Sequence, residues 1–412
     1  MTRWRGVVFF FVVACAAGAV TRARVSSEGA TIKRLDGKAL TAAEVDAAVA
    51  RAMERGRVTG LGLAIINDGA VVHEKGYGLR DVEAKLPFTV DTNTYAASLT
   101  KVVVGYTALQ LVDQGVIALD TPIANYLPKS LPEYEKYDGL KGDERWKKFT
   151  PRILLSHTSG LGNWYGDEPD KKLKIHFDPG TRYAYSGEGL NLLAMVIETV
   201  TKEPFETTVR REVFEPFGMA TTEMTYQPRF DANHAIGYDE NGKWLGPNEH
   251  LHVRAAGSMH TTTADYARFL SAVARGERLS PRMRAEMLKP QVRITSKHQF
   301  PIFENVDTHD NDAIRLSYGL TWGLYFTDAY GEAYFKEGHD EGWRNYAVCF
   351  DRSKDCMLIL TNSSNGEHIY DELLRELQGN AFTPVEWEGW ANRAERDDGG
   401  SGYRKSKALR GI

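Results

Sequence analysis

Strand-forming stretches stand at the two ends of this chain, and helix and loop patterns fill the middle. Near the start, the apolar run "LGLAIIN" meets "VVHEKGYG" across an "NDGA" turn, which is a hairpin pattern. Near the end, "WRNYAVCF" and "CMLILTNSSN" flank "DRSKD" in a second hairpin. After it, "EHIYDELLRELQ" places Ile369, Leu373, Leu374 and Leu377 on one helical stripe. Ahead of the first hairpin, "TAAEVDAAVARAMERG" reads as a helix capped by Thr41, with Glu44 three residues on and Gly56 at its end. The economical fold is α+β: an antiparallel sheet built from both termini and flanked by helices, with a mostly helical region inserted. The expected domain spans 38–380, with its sheet part at about 38–97 and 315–380 and its helical part at about 98–314.

Outside that domain the chain changes character. "MTRWRGVVFFFVVACAAGAVTRARV" joins a basic start (Arg3, Arg5) to an apolar core too short to span a bilayer, and Ala17–Ala19 offers a small-residue cleavage site. Residues 1–19 are therefore expected to be a signal peptide, leaving an exported, periplasmic or extracellular protein without a stable membrane span. Lipoprotein anchoring at Cys15 is the lesser expectation, because the usual leucine is missing before it. The tail 393–412 has almost no apolar content and is expected to be disordered. Formal net charge is -4 and no long basic run occurs, which argues against nucleic acid as a partner. The two remaining cysteines, Cys349 and Cys356, flank the second hairpin turn. A turn centred on Arg352 and Ser353 sets them opposite each other, within disulfide reach.

The chemistry starts at "YAASLTKVVV". Ser98 and Lys101 stand three apart on a helical stretch running to Gly115, so hydroxyl and amine share a face. Ser98 lies at the positive end of that helix, which favours a developing oxyanion. Lys101 lies among valines, where desolvation lowers an amine's pKa and makes a neutral base. S-x-x-K alone is a weak signal, since a chain this long matches it by chance about once. In "FDPGTRYAYSGEGLNLL", Tyr185 stands on a loop at a helix start, where a phenol can relay a proton to a leaving group. Read alone, it is more often a packed core tyrosine. His339, in "FKEGHDEGWRNYAVCF", begins a predicted strand. Taken alone, such a histidine is more often structural. Neither H-E-x-x-H nor G-x-S-x-G is present, and the acidic stretch Asp307–Asp312 reads as a solvated loop. No metal and no organic cofactor is expected.

Taken together, these elements resemble the serine β-lactamase and penicillin-binding-protein superfamily, in its class C-like branch. "SLTK" is similar to the nucleophile motif S-x-x-K, and "YSG" at Tyr185–Gly187 to Y-x-N. "HDE" at His339–Glu341 is aligned with K-T-G or the H-x-G of esterase-like members. "LLSHTSGL", "FEPFGM", "AAGSMHTTTADYARF" and "LILTNSSNG" agree in order and spacing. The resemblance covers about residues 40–380. It implies a helix-sandwiched sheet with the site at its junction with the helical region. It also implies a serine hydrolase working through an acyl-enzyme, in which Ser98, Lys101 and Tyr185 are catalytic and His339, Asp340, Glu341 and Gly342 line the acyl group and oxyanion.

Two departures qualify the expectation. Gly187 replaces the asparagine of Y-x-N, and Asp340 and Glu341 bring carboxylates to the third motif. The first removes an amide from the site, and the second disfavours anionic substrates. The expected function is ester or amide hydrolysis on a small-molecule or peptide substrate, of esterase, D-aminopeptidase or DD-peptidase type rather than true β-lactamase. The alternative is a catalytically impaired binding or sensor module that kept the fold.

Overall fold

The structure, a computed structural model, describes residues 31–303, 306–379 and 383–389. The expectations for residues 1–19, Cys15 and 393–412 lie outside the described residues.

A nine-stranded antiparallel sheet carries the fold. In chain order its strands are β1 (Gly60–Asn67), β2 (Ala70–Asp81), β3 (Leu86–Pro87), β4 (Val292–Arg293), β5 (Ser317–Tyr318), β6 (Gly323–Thr327), β7 (Gly331–Asp340), β8 (Trp343–Phe350) and β9 (Asp355–Thr361). Their order across the sheet is β4-β5-β6-β7-β8-β9-β1-β2-β3. The two ends of the chain meet where β9 pairs β1, with Leu61 opposite Thr361 and Ile66 opposite Cys356. Every residue of β1 is buried. The physical reason is two-sided cover, which turns a strand into a continuous apolar run. Leu61, Leu63 and Ile65 join one core with Val45, Val49 and Leu373, whereas Ala64 and Ile66 join the other with Phe269 and Val273.

Helix α1 (Ala42–Gly56) supplies Val45 and Val49 to the first core. Thr41 and Glu44 close a reciprocal capping box at its start. Its left-handed end residue is Arg57, at φ 53°, and not Gly56. Gly56 answers a packing need instead, since a Cβ there would lie 2.5 Å from the Ile369 side chain. The stripe Ile369, Leu373, Leu374 and Leu377 is buried in the same core. Cys349 and Cys356 are opposite neighbours on β8 and β9, and a disulfide joins them.

The stretch 98–314 contains α2 (Thr100–Asp113), α3 (Gly187–Thr201) and α4 (Thr263–Arg275). It is less uniformly helical than the pattern suggested. Helix α4 packs on β1, β2 and β9, and β4 returns the chain to the sheet before residue 314. Beyond Phe335, β7 has no β6 partner and runs along a 3-10 turn, Ala97–Leu99, that leads into α2. That junction holds the candidate site.

Candidate active site

Ser98 sits in the turn just before α2. The residue ahead of it, Ala97, adopts the left-handed region at φ 48°, which is strained for a side chain with a Cβ. The turn is tied to the segment 256–260: the Ala96 amide donates to the Met259 carbonyl (2.9 Å), and the Tyr95 hydroxyl donates to the Gly257 carbonyl (2.6 Å). Lys101, one helical turn on, is fully buried. Its Nζ lies 2.9 Å from Ser98 Oγ and donates to the Ala256 carbonyl at 2.6 Å. Burial pushes its pKa well below the ordinary lysine value, and the nearby Lys336 ammonium pushes the same way, against the weaker pull of Glu337 and Glu188.

Tyr185 closes the opposite side. It stands just before α3, whose cap is Ser186 bonding the Gly189 amide at 2.9 Å. The Lys101 Nζ is 4.7 Å from its ring centroid. Burial, then the Glu337 carboxylate, hold the phenol well above its ordinary pKa, while a hydrogen bond with Ser98 offsets part of this. A phenol so perturbed keeps its proton at neutral pH. Behind it, the His157 ring lies 4.7 Å from the Tyr185 ring and its Nδ1 accepts from the Ser186 amide at 3.1 Å. Burial holds His157 neutral, helped by the two lysines.

The third motif falls elsewhere than on His339–Glu341. Successive strand residues point to opposite faces. Along β7, Lys336 and Asp340 share the Ser98 face, whereas His339 takes the other, where its ring stacks over Tyr370 at 6.4 Å. Glu341 is exposed in the turn to β8, and the Gly342 amide donates to Ser364 Oγ at 2.8 Å, away from Ser98. The stretch in front of the serine is Lys336-Glu337-Gly338. Lys336 is fully buried and donates to the Tyr185 hydroxyl at 3.0 Å. Gly338 has no room for a side chain: a Cβ there would lie 2.5 Å from the Ala96 carbonyl oxygen and 3.0 Å from the Leu99 nitrogen.

The gap at Gly187 is filled from another loop. Its amide donates to Asn163 Oδ1 at 3.0 Å, and a Cβ at 187 would meet the Asn163 oxygens at 2.6 and 2.9 Å. Asn191, one turn along α3, accepts from the Ala256 amide at 3.3 Å and so steadies the carbonyl that holds Lys101. The Trp164 ring centroid lies 5.8 Å from Lys101 Nζ and 5.8 Å from the exposed Arg254 guanidinium, so it links the buried amine to the surface. Sequence reasoning missed Lys336, Asn163 and Asn191. Among the described residues, no group of three or more His, Cys, Asp or Glu is arranged to hold a metal ion.

The site therefore brings Ser98, Lys101 and Tyr185 together and adds Lys336. Such an arrangement can activate a hydroxyl for attack and deliver a proton beside it. Esterase EstB of Burkholderia gladioli is 30% identical over 204 residues, which is 43% of this chain and 50% of that protein. Protein flp of Staphylococcus aureus is 25% identical over 215 residues, 48% of this chain and 41% of its own length. The chain thus matches half or less of these curated relatives. The octameric penicillin-binding protein homologue from Pyrococcus abyssi shares the fold at a TM-score of 0.66 and 22% identity, over 85% of this chain and 79% of that one. D-alanine carboxypeptidase AmpC from Burkholderia cenocepacia does so at 0.63 and 20%, over 81% and 98%. The Beta-lactamase family pattern matches residues 45–380, most of the chain and every residue of this site, and the chain belongs to that family.

Proposed function

We propose that this chain is an exported serine hydrolase that cleaves an ester or amide through an acyl-serine intermediate. The observation that carries this is the buried Lys101 amine, 2.9 Å from Ser98 Oγ and with its pKa pushed down. As a neutral base it takes the hydroxyl proton while Oγ bonds to the substrate carbonyl carbon. The phenol of Tyr185 passes a proton to the leaving alcohol or amine as the old bond breaks. Water then adds to the acyl carbon, its proton is taken by the same base system, and Ser98 is released as hydroxyl. Amides lining the turn at Ser98 favour the charge that develops on the carbonyl oxygen.

The esterase relative supports an ester substrate, and the carboxypeptidase of like fold supports a peptide-like one. The alternative, a non-catalytic module, rests on Gly187 and Glu341 and has less support, because Asn163 occupies the space beside Gly187 and Glu341 is exposed. The test is labelling by a fluorophosphonate or a fluorescent penicillin, with a panel of acyl esters, D-amino-acid amides, D-Ala-D-Ala peptides and nitrocefin. Labelling and turnover are expected in the wild type and lost in Ser98→Ala. Equal labelling of the two proteins would overturn the assignment.

A further inference from the structure

Two buried lysines flank Tyr185, each with its Nζ 4.7 Å from the ring centroid, one from α2 and one from β7. Their partners differ. Lys336 Nζ has three acceptors around it: the Tyr185 hydroxyl at 3.0 Å, the Glu337 carbonyl at 3.0 Å and Glu337 Oε1 at 2.7 Å. An ammonium has three N–H donors and no acceptor, so this shell suits the charged form. Lys101 Nζ has one carbonyl, that of Ala256, and the Ser98 hydroxyl. That shell suits a neutral amine, which donates to the carbonyl and turns its lone pair to Ser98.

The carboxylate that makes the difference is itself fixed. Glu337 is 5% exposed, and Oε1 also accepts from the buried Gln299 at 3.0 Å. The other ionisable groups around Lys336 do not replace it. Burial lowers the Lys336 pKa against Glu337 and, more weakly, Glu388 near the C-terminal end of the described residues, the neutral Lys101 on α2 brings no opposing charge, and burial holds both His157 and His339 neutral. Resting on the serine hydrolase reading above, we propose that Glu337 is a positioning residue: its carboxylate holds the positive charge of the site on Lys336, which leaves Lys101 as the amine that takes the Ser98 proton.

The test compares Glu337→Gln and Glu337→Asp with the wild type through two readouts. The first is the pH profile of Ser98 labelling by a fluorophosphonate. Glu337→Gln keeps an acceptor but removes the charge, so Lys336 loses its proton more readily and the alkaline limb moves down by at least one pH unit. Glu337→Asp keeps the charge and restores the limb toward the wild type. The second is NMR titration of the lysine ε-carbons, with Lys101 and Lys336 assigned through Lys101→Arg and Lys336→Arg. In the wild type Lys101 is expected to titrate below Lys336, and in Glu337→Gln the Lys336 titration falls. Where Glu337→Gln does not fold, Glu337→Asp carries the test through a smaller shift in the same direction. A wild type in which Lys336 titrates below Lys101, or a folded Glu337→Gln with both titrations unchanged, overturns the proposal. The NMR readout needs no turnover: a protein that fails to label but shows the expected titrations breaks the hydrolase reading and leaves the role of Glu337 standing.

Discussion

Two buried clusters of ionisable side chains meet at the short strand pair Thr94–Tyr95 and His260–Thr261. In the first, Ser98, Lys101, Tyr185, Lys336 and Glu337 bond to one another. In the second, His234 and His250 surround His260, with ring centroids 5.5 and 6.5 Å away, and Tyr95 packs on His250 at 4.6 Å. Neither ring nitrogen of His260, nor Nε2 of His234, has a hydrogen-bond partner among the described residues. Burial is the largest cause lowering the pKa of these imidazoles, to about 4 for His234, with Asp231 pulling the other way and Arg80 adding to it, and to about 4 for His250, where Arg254 adds to burial and Asp340 opposes it. In the first cluster burial is again the largest cause, but there the ionisable groups are bonded to one another, and three acceptors around Lys336 against one carbonyl at Lys101 set the two lysines apart. Burial shifts the groups of both clusters; direct bonds to a neighbouring hydroxyl, phenol and carboxylate are what the first has and His260 lacks.

The comparison breaks most visibly at the first cluster. Ser98→Ala, Lys101→Ala and Tyr185→Phe are each expected to lower kcat/KM by roughly a thousandfold or more, and the double variants to lose little beyond the worse single one. Ester hydrolysis assays on proteins with matched circular dichroism check this. A related expectation concerns pH. Because the Lys101 pKa is lowered, the base is lost only when pH falls through that depressed value, so kcat/KM should stay high well below the ordinary lysine range and then drop tenfold per unit on the acid side.

The second cluster should show itself in stability instead. The unfolded chain binds a proton at His234 near pH 6.5, whereas the folded chain does so only near about 4. Stability is therefore lost as pH falls through that window, by about 3 kcal/mol at most from this residue. His234→Gln should flatten that part of a plot of urea midpoint against pH and leave the pH profile of catalysis in place. A control that touches neither cluster is the disulfide. Cys349→Ser/Cys356→Ser should cost about 2 kcal/mol in the denaturation midpoint, the low end for so short a loop, with activity kept.

The smallest effect is at the mouth. Asp340 stands on the Ser98 side of β7, and it and Arg254, whose guanidinium lies 5.8 Å from the Trp164 ring, act with opposite sign on the same two side chains, Tyr95 and His250. Asp340→Asn should raise kcat/KM for a carboxylate-bearing substrate over a matched neutral ester by roughly threefold, and Arg254→Ala should move the ratio the other way by a similar factor. Unchanged ratios in both would remove charge at the mouth from substrate selection.

How much of this was legible follows from where each signal lives. The sheet from two termini, the capped helix at Thr41 and the Ser98–Lys101 pair are local patterns, and periodicity and spacing carry them. Lys336 has an equally local sign. A lysine in the buried strand "EAYFKEG" is the same anomaly as a lysine among the valines of α2, whereas the histidine three residues later carries the resemblance to the family motif. An odd offset on a strand reverses the face, so His339 points to Tyr370 and not to Ser98. Asn163 and Asn191 had no such sign. Their roles come from contacts with residues 24 and 65 positions away, made only once the chain has folded.

The close approach at Gly338 has a practical use. One methyl group there would wedge β7 away from the Ser98 turn while leaving the hydroxyl, both lysines and the tyrosine chemically intact. Gly338→Ala is thus a candidate dead reference for screening: a protein with all its reagents and the wrong spacing, against which true acylation of Ser98 can be told from background reactivity elsewhere on the protein.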